Sequence, residues 1–316
     1  MTIIKIDEEK MKLSFVMFLF YFLFSLFPGN VFSKPSSSYI KVNGVKLHYL
    51  HQGKKGNPLI IFLHGFPEYS GVWSSYFPHF EKDYYAVAPD MRGYNLSEKP
   101  SEIKDYTLGK LTDDIKDLIQ KLGHKKAKIV AHDWGGVVGW YFATRFPKLV
   151  DHLIIMNAPY PKIYGKLFKT NKKQMKSGAY IAMLTSKDGA KKVKANNYEK
   201  FRKAYFDETT AKLTEEEKNE QLKAWAQPMA IESSIKYYIA SFLFKKQNRA
   251  LIKNNVEVPT LVLWGLNDSA LVSENLDGLH NYVSPLTVKT YKKATHWINI
   301  EMPEKLSKEI RSFIEK

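Results

Sequence analysis

The chain contains no cysteine in its 316 residues. That absence excludes disulfide bonds, thiolate nucleophiles and cysteine-ligated metal sites. The sequence also has no internal repeat, no phosphate-binding glycine loop, no HExxH pair of histidines and no nucleic-acid recognition motif. We therefore expect neither a metal nor a nucleotide cofactor, and no nucleic-acid partner. What the chain does contain is 44% apolar and 14% aromatic residues, which is enough for a large packed core.

Positive charge is in excess and is unevenly distributed. The net charge is +16, and residues 160–256 carry 21 Lys and Arg against 9 Asp and Glu. A basic segment of this kind favours an anionic substrate or an anionic surface. A lysine-rich, solvated face without any partner would have the same composition, so both interpretations stay open.

One long apolar run lies near the N-terminus, at residues 13–27, shortly after two lysines. It is shorter than the roughly 20 residues of a membrane span and matches the apolar region of a signal peptide. We predict that residues 1–33 are a signal peptide cleaved near Ser33, for a secreted, periplasmic or secretory-pathway protein. Because Val31 and Phe32 are bulky for a cleavage site, an uncleaved membrane anchor is the alternative, with membrane contact only through residues 13–27. A buried core helix is a third interpretation.

From Ser38 onward, short apolar runs alternate with helical patterns. Strands are predicted at residues 39–42, 47–51, 59–63, 84–89, 128–131, 151–158, 260–264 and 288–291. Helices are predicted at residues 70–80, at 108–122, from the glycines at 135–136 to about 145, after the strand at 260–264, and from residue 303. Strands that alternate with helices form a parallel sheet with crossover helices. We therefore predict an α/β fold with a mostly parallel, eight-stranded sheet and helices on both faces.

The alternation stops after Pro159 and resumes at Pro259. The residues between them are rich in Lys, Tyr and Phe, are helical in composition and show no strong strand pattern. We interpret residues 160–256 as a helical lid inserted into a core formed by residues 34–159 and 257–316.

Residues 126–136, KAKIVAHDWGG, run from a strand into a helix through a sharp turn at Asp133. Small residues on each side, Ala131 and Gly135, let the backbone bend tightly and expose the side chain between them, as in a nucleophile elbow. A carboxyl group with the usual pKa of about 3.9 is ionised at neutral pH and needs no base. Its attack on a saturated carbon that bears a strained oxygen or a halide gives an alkyl ester. Asp133 is therefore the candidate nucleophile.

Two further candidate residues follow later strands. Asp268 comes just after the strand at 260–264, and His296 just after the strand at 288–291. The carboxyl ends of parallel strands meet at one edge of a sheet, and the order nucleophile, acid, histidine is that of the α/β-hydrolase triad. We therefore predict that Asp133, His296 and Asp268 form one site.

Four motifs occur in this order: HGFPE at 64–68, HDWGG at 132–136, WGLND at 264–268 and THW at 295–297. On these motifs the chain from about Ser38 to its C-terminus resembles the epoxide hydrolase branch of the α/β-hydrolase family. The resemblance implies an α/β-hydrolase fold and an enzyme that opens an epoxide to a vicinal diol through an ester on Asp133. It also implies that His296 activates the water that hydrolyses this ester, while Asp268 orients the histidine.

The resemblance further assigns the groups around the nucleophile. It implies an oxyanion hole made by the backbone amides of Phe66 and Trp134. It also implies two lid tyrosines, best matched by Tyr180 and Tyr238, that hold the epoxide oxygen and donate a proton to it. The alternatives for these two tyrosines are Tyr164, Tyr198 and Tyr237. The implied substrate contacts are His64, Phe66, Pro67, Trp134, Tyr180 and Tyr238. We interpret His132, beside the nucleophile, as packed support.

Two other functions are compatible with the sequence. A haloalkane or haloacid dehalogenase uses the same triad but must bind a leaving halide. Here Phe66 cannot donate from its side chain, and Trp225 is the only tryptophan in residues 160–256. A secreted binding or effector protein without turnover is the second alternative. For an epoxide hydrolase, the aromatic lid predicts an apolar small-molecule epoxide, and the lid lysines favour an anionic lipid epoxide.

Overall fold

Eight strands form one mixed sheet in the computed structural model, which describes residues 34–252 and 255–316. The strands are β1 (Ser36–Val42), β2 (Val45–Gln52), β3 (Leu59–Leu63), β4 (Tyr85–Pro89), β5 (Ala127–His132), β6 (Val150–Met156), β7 (Thr260–Gly265) and β8 (Leu286–Tyr291). Their order in the sheet is β1-β2-β4-β3-β5-β6-β7-β8. Strand β2 is antiparallel to β1 and β4, and the other neighbouring pairs among these strands are parallel. The predicted mostly parallel, eight-stranded sheet is confirmed.

Helices occupy the connections between the strands. The helices are α1 (Leu108–Lys121), α2 (Asp133–Arg145), α3 (Pro161–Thr170), α4 (Lys172–Ser177), α5 (Tyr180–Leu184), α6 (Gly189–Arg202), α7 (Glu215–Ala226), α8 (Ala230–Leu243), α9 (Lys245–Leu251), α10 (Ile298–Glu301) and α11 (Pro303–Ile314). Helices α3 to α9 lie between β6 and β7, and we call them the lid. The backbone of α6 leaves the helical conformation at residues 195–198.

Both faces of the sheet are covered, and β3 shows how. The strand reads Leu59, Ile60, Ile61, Phe62 and Leu63, and all five residues are buried. Their side chains alternate between two hydrophobic cores. The odd-numbered side chains pack in the core that includes α1 and α2, and the even-numbered ones in the core that includes α11. A strand buried on both faces has a continuous apolar sequence for this reason.

The helix predictions at two places are wrong. Residues 70–80 form two 3₁₀ turns, Ser70–Trp73 and Phe77–His79, instead of one helix. Pro78 has no amide hydrogen, so a continuous α-helix would lose a hydrogen bond there. After β7 the chain again forms two 3₁₀ turns, Ser273–Leu276 and Leu279–Asn281.

Buried hydrogen bonds attach the lid to the loops that follow the strands. The indole of Trp225 on α7 donates to the carbonyl of Pro67 at 2.6 Å, and the amide of Gln221 donates to the same carbonyl at 3.1 Å. The hydroxyl of Tyr237 on α8 donates to the carbonyl of Arg92 at 2.8 Å. Because Pro67 follows β3 and Arg92 follows β4, these bonds hold α7 and α8 over the carboxyl ends of the strands.

Within residues 34–252 and 255–316, no helix has the length and hydropathy that a membrane span requires. The predicted signal peptide at residues 1–33, with its apolar run at 13–27, lies outside the described residues. Cleavage, secretion and membrane anchoring stay predictions.

We expect Gly135→Ala to destabilise the fold at the start of α2. An added Cβ would lie 2.4 Å from the carbonyl oxygen of Leu63, in backbone that cannot move aside cheaply. Overpacking of this kind costs about 1–3 kcal/mol of unfolding free energy. Gly165→Ala in α3 is the matched control, because its Cβ would meet nothing within 4 Å and alanine favours a helix by up to ~1 kcal/mol. Urea unfolding measures the unfolding free energy of each variant. Equal changes in Gly135→Ala and Gly165→Ala would contradict the packing argument.

Candidate active site

The bend at Asp133 has the geometry predicted for a nucleophile elbow. Strand β5 ends at His132 and α2 begins at Asp133, with no loop between them. Asp133 has a φ of +46°, in the left-handed region that residues other than glycine seldom adopt. The neighbouring loop approaches so closely that a Cβ on Gly65 would lie 2.5 Å from the Cβ of Asp133. Strain of this kind persists only where the surrounding structure holds it, and it is concentrated at functional sites.

The two carboxylate oxygens of Asp133 have different partners. Oδ1 accepts a hydrogen bond from the backbone amide of Phe66 at 2.7 Å. Oδ2 lies 3.6 Å from Nε2 of His296. The Trp134 amide, the other predicted oxyanion donor, lies in the first turn of α2, where backbone amides have no acceptor within the helix. The N-terminal end of a helix also favours negative charge.

Asp268 holds the opposite side of the imidazole. Its Oδ2 lies 2.8 Å from Nδ1 of His296, and its Oδ1 accepts from the amides of Ala270 and Leu271, both at 2.8 Å. The side-chain amide of Asn157 donates to Oδ2 at 2.6 Å. An ionised carboxylate can only accept, so Nδ1 donates to Asp268, and Nε2 faces Asp133.

The pKa values of Asp133 and His296 are both shifted from their ordinary values. Burial opposes charge on the Asp133 carboxyl, but His296, His132 and the Phe66 amide outweigh it and lower the pKa of Asp133. Burial likewise opposes charge on the imidazole, but Asp268 and Asp133 together raise the pKa of His296 well above its ordinary value. Each of the two carboxylates thus favours the protonated form of the His296 imidazole.

A second buried pair, His132 and Glu68, contacts the backbone of His296. His132 and Glu68 are fully buried, and Nδ1 of His132 lies 2.8 Å from Oε2 of Glu68. Nε2 of His132 lies 2.8 Å from the carbonyl oxygen of His296. Glu68 also accepts from the amide of Gly65 at 2.9 Å and from the side chain of Asn299 at 2.7 Å. The interpretation of His132 as support agrees with these contacts.

Sequence reasoning missed the roles of Glu68 and Asn157. Glu68 is the last residue of the HGFPE motif, and its position in that motif is the available signal. Asn157 follows β6 at the edge of the sheet. An acidic residue at that position would have been a candidate partner for His296, whereas an asparagine gives no such indication. Its amide donates to Asp268, and its side-chain oxygen accepts from the amide of Gly265 at 2.8 Å.

Tyr180 and Tyr238 line the same cavity as Asp133. Their ring centres are 6.3 Å apart, at an interplanar angle of 83°. Burial of each hydroxyl and the charge of Asp133 raise the pKa of both tyrosines above the ordinary value. Both phenols therefore keep their protons at neutral pH and can donate. Tyr238 packs edge-on against Phe66 and Trp134, with ring centres 5.1 and 5.0 Å away.

The three alternative tyrosines differ in position. Tyr237 is buried with its hydroxyl on the carbonyl of Arg92, and Tyr198 packs against Trp225. Neither lines the cavity, whereas Tyr164 does. Burial and the negative charge of Asp133 together raise the pKa of Tyr164 to about 12. The structure thus leaves Tyr164 as the alternative that shares a cavity with the nucleophile.

Three predicted substrate contacts, His64, Phe66 and Pro67, do not line this cavity. His64 is fully buried, with Nε2 accepting from the amide of Met91 at 3.0 Å and Nδ1 2.9 Å from the carbonyl of Gly65. Burial lowers the pKa of His64, which keeps it neutral. Pro67 turns its carbonyl to the lid donors on α7. The contacts of His64 and Pro67 hold the loop that carries Phe66, and neither side chain faces the cavity.

The cavity has a volume of about 720 Å³ and lies between the lid and the sheet edge. Its wall is mainly aromatic and aliphatic, and includes Trp134, Val137, Tyr141, Tyr164, Tyr180 and Tyr238. Five basic side chains also line it, namely Lys162, Lys166, Lys169, Lys245 and Arg249. Asp133 is the one acidic residue that lines it in the described part of the chain. Across the described residues, no three His, Asp or Glu side chains gather closely enough to hold a metal ion.

The sheet order, the elbow and the triad define an α/β-hydrolase with aspartate at the nucleophile position. The model of the α/β hydrolase fold family matches residues 58–303. Epoxide hydrolase 1 of Caenorhabditis elegans is 36% identical over 302 residues, covering 91% of this chain and 72% of that protein. Epoxide hydrolase 3 of Xenopus tropicalis is 32% identical over 285 residues, covering 88% of this chain and 77% of that protein.

Solved structures agree with these sequence matches. The crystal structure of Bacillus megaterium epoxide hydrolase in complex with an inhibitor aligns with a TM-score of 0.82 at 32% identity. The alignment covers 88% of this chain and 100% of that one. The chain belongs to the epoxide hydrolase branch of the α/β-hydrolase fold family.

We expect removal of either carboxylate to lower the pKa of His296, because each one stabilises the imidazolium. Asp268→Asn should lower it more than Asp133→Asn, since Asp268 lies 2.8 Å from the ring and Asp133 lies 3.6 Å away. NMR titration of the labelled imidazole measures the shift. Asp151→Asn is the control, because Asp151 pairs with Lys128 at the other end of the strands. An unchanged pKa of His296 in both site variants would contradict the electrostatic assignment.

Proposed function

We propose that the protein hydrolyses an epoxide to a vicinal diol through a covalent ester on Asp133. In the first step, Oδ2 of Asp133 attacks one epoxide carbon, and the bond from that carbon to the ring oxygen breaks. Tyr180 and Tyr238 hold the ring oxygen, and one of them gives it a proton. The product is a hydroxyalkyl ester of the enzyme, with a phenolate that regains its proton from the His296 imidazolium.

In the second step, the neutral His296 removes a proton from water, and the resulting hydroxide attacks the ester carbonyl carbon. The amides of Phe66 and Trp134 stabilise the oxyanion, with about 3 kcal/mol for each donor. The bond from the carbonyl carbon to the alkoxy oxygen then breaks, the alkoxide takes the proton of the re-formed Asp133 carboxyl group, and the diol leaves. Asp133 returns as a carboxylate and His296 as an imidazolium, so one epoxide and one water yield one diol.

One observation carries this proposal: the carboxylate that the Phe66 amide holds at 2.7 Å shares a cavity with two protonated tyrosines. A carboxylate attacks saturated carbon without a base, and the departing oxygen of an epoxide needs a donor. Asp133 supplies the attacking carboxylate, and Tyr180 and Tyr238 supply the donors for the departing oxygen, in one cavity.

A dehalogenase is less well supported by the same geometry. Halide release calls for indole or amide donors aimed at the leaving atom. The indole of Trp225 donates to Pro67 at 2.6 Å, and that of Trp297 donates to the carbonyl of Ala204 at 2.8 Å. Both are therefore engaged elsewhere, and Trp134 is left as the tryptophan that lines the cavity.

The cavity also bears on the class of epoxide. An apolar wall favours a substrate with a large hydrocarbon part, since burial stabilises by roughly 25 cal/mol per Å² of apolar surface. The five basic residues on the same cavity favour a substrate with an acidic group, as in an anionic lipid epoxide. The names of the relatives agree with epoxide turnover and carry no information about this acidic group.

We expect His296→Gln to trap the ester. The first step needs no base, so Asp133 still reacts, whereas loss of the general base slows hydrolysis roughly 10²–10⁴-fold. Intact-protein mass spectrometry after addition of a neutral epoxide such as styrene oxide should show a mass increase equal to one epoxide, located on Asp133. The double variant with Asp133→Asn is the control and should show no adduct. Fast turnover by His296→Gln with no adduct would contradict the covalent route.

We expect Tyr180→Phe and Tyr238→Phe each to slow ester formation roughly 10- to 100-fold, because each removes a hydrogen bond to a developing charge. Ester hydrolysis should change little, since the tyrosines contact the epoxide oxygen. Stopped-flow measurement of the intrinsic tryptophan signal separates the two steps. Tyr198→Phe is the control, and Tyr164→Phe tests the remaining alternative. A large defect in Tyr164→Phe with none in Tyr180→Phe would reassign the donor.

A further inference from the structure

Asn248 on α9 has no assigned role in the proposed reaction, yet its environment is unusual. The residue is 4% exposed, and it lines the cavity that contains Asp133. Both its side-chain nitrogen and its side-chain oxygen are buried and have no hydrogen-bond partner among the described residues. Buried polar atoms nearly always have a partner, and leaving one unpaired costs stability. An amide without a protein partner, beside a cavity that contains Asp133, is free to pair with a polar group of a bound substrate.

The residues around Asn248 indicate the charge of that partner. Lys245 and Arg249, on the same helix, line the same cavity. In the described part of the chain, neither forms an ion pair with an acidic side chain. Helix α3, on the same cavity, adds Lys162 and Lys166. An amide donor beside several unpaired cations is suited to a carboxylate, which accepts hydrogen bonds from both kinds of group.

Helix α2 gives the distance from this position to the nucleophile. Asp133, Val137 and Tyr141 lie at i, i+4 and i+8 of α2, on one helix face, and all three line the cavity. Eight residues of helix advance about 12 Å. Arg249 lies toward the far end of this row. Leu251, the last residue of α9, is beside Gly109, and the Gly109 carbonyl accepts from Arg145, the last residue of α2, at 2.9 Å. Helix α9 also packs directly against α2.

We propose that Asn248, assisted by Lys245 and Arg249, binds the carboxylate of an acidic epoxide and so selects which ring along a hydrocarbon chain reaches Asp133. This inference rests on the proposed function and adds to it the substrate's second point of attachment. An extended chain of single bonds advances roughly 1.2 Å per bond, as in an extended polypeptide, so 12 Å corresponds to about ten bonds. The preferred substrate is a long-chain acid with its epoxide near the middle of the chain.

The test compares a long-chain epoxy acid with its methyl ester by the ratio of their kcat/KM values. The ester retains the chain and the ring but loses the charge. For the wild type we expect a ratio of roughly ten or more in favour of the acid, the effect of a hydrogen bond to a charged group. Asn248→Leu should bring the ratio close to one, and Asn248→Asp should reverse it by repulsion. Asn248→Leu should unfold in urea at the same midpoint or higher, because it removes unpaired buried polar atoms.

Two adjacent lysines provide the matched control. Lys245 lines the cavity, and Lys246 does not. Lys245→Gln should lower the acid-to-ester ratio, and Lys246→Gln should leave it unchanged. A series of epoxy acids with the ring nearer to, at, and beyond the matched distance should show a maximum at the matched distance that Asn248→Leu abolishes.

Hydrolysis of styrene oxide by the wild type separates the two proposals. If no diol forms from any epoxide, the proposed function is wrong. If styrene oxide is hydrolysed but the acid-to-ester ratio is the same in the wild type, Asn248→Leu and Asn248→Asp, the carboxylate site is wrong and the proposed function stands.

Discussion

The site depends on one imidazole that is held between two carboxylates. Asp268 and Asp133 together raise the pKa of His296, which favours the imidazolium, the form that cannot act as a base. In the proposed reaction, the ester on Asp133 cancels one of the two negative charges. The pKa of His296 then falls, and the histidine becomes a base only after the first step. In the proposed reaction Asp133 therefore also controls when water is activated, and this charge effect is stronger at a buried site than in water.

The lid forms one wall of the cavity, and it is attached through the same loop that carries Phe66, the proposed oxyanion donor. Pro67 accepts two hydrogen bonds from α7, and its neighbour Phe66 donates to Asp133. The position of the lid and the position of that donor are therefore linked. Two adjacent residues of helix α8 have different roles. Tyr237 anchors the helix to the carbonyl of Arg92, and Tyr238 lines the cavity, because neighbouring residues on a helix point in different directions.

Local patterns predicted the core well where burial is uniform. Strands such as β3 are buried on both faces, so their sequence is continuously apolar and their ends are marked by polar or glycine residues. The prediction failed at residues 70–80, where aromatic residues at helical spacing form two short 3₁₀ turns. Apolar spacing reports which face is buried, and it does not distinguish a continuous α-helix from tight turns interrupted by Pro78.

The sequence by itself determined the positions of Asp133, Asp268 and His296, because each lies in a strand-end motif whose local backbone requirements leave a signature in neighbouring residues. Only the tertiary structure showed that Glu68 supports His132 from 64 residues away, that Asn157 supports Asp268 from 111 residues away, and that His64 is packed outside the cavity. Such contacts join distant segments, and side-chain position across them depends on packing that no local pattern records. The unpaired amide of Asn248 is visible for the same reason only in the folded chain.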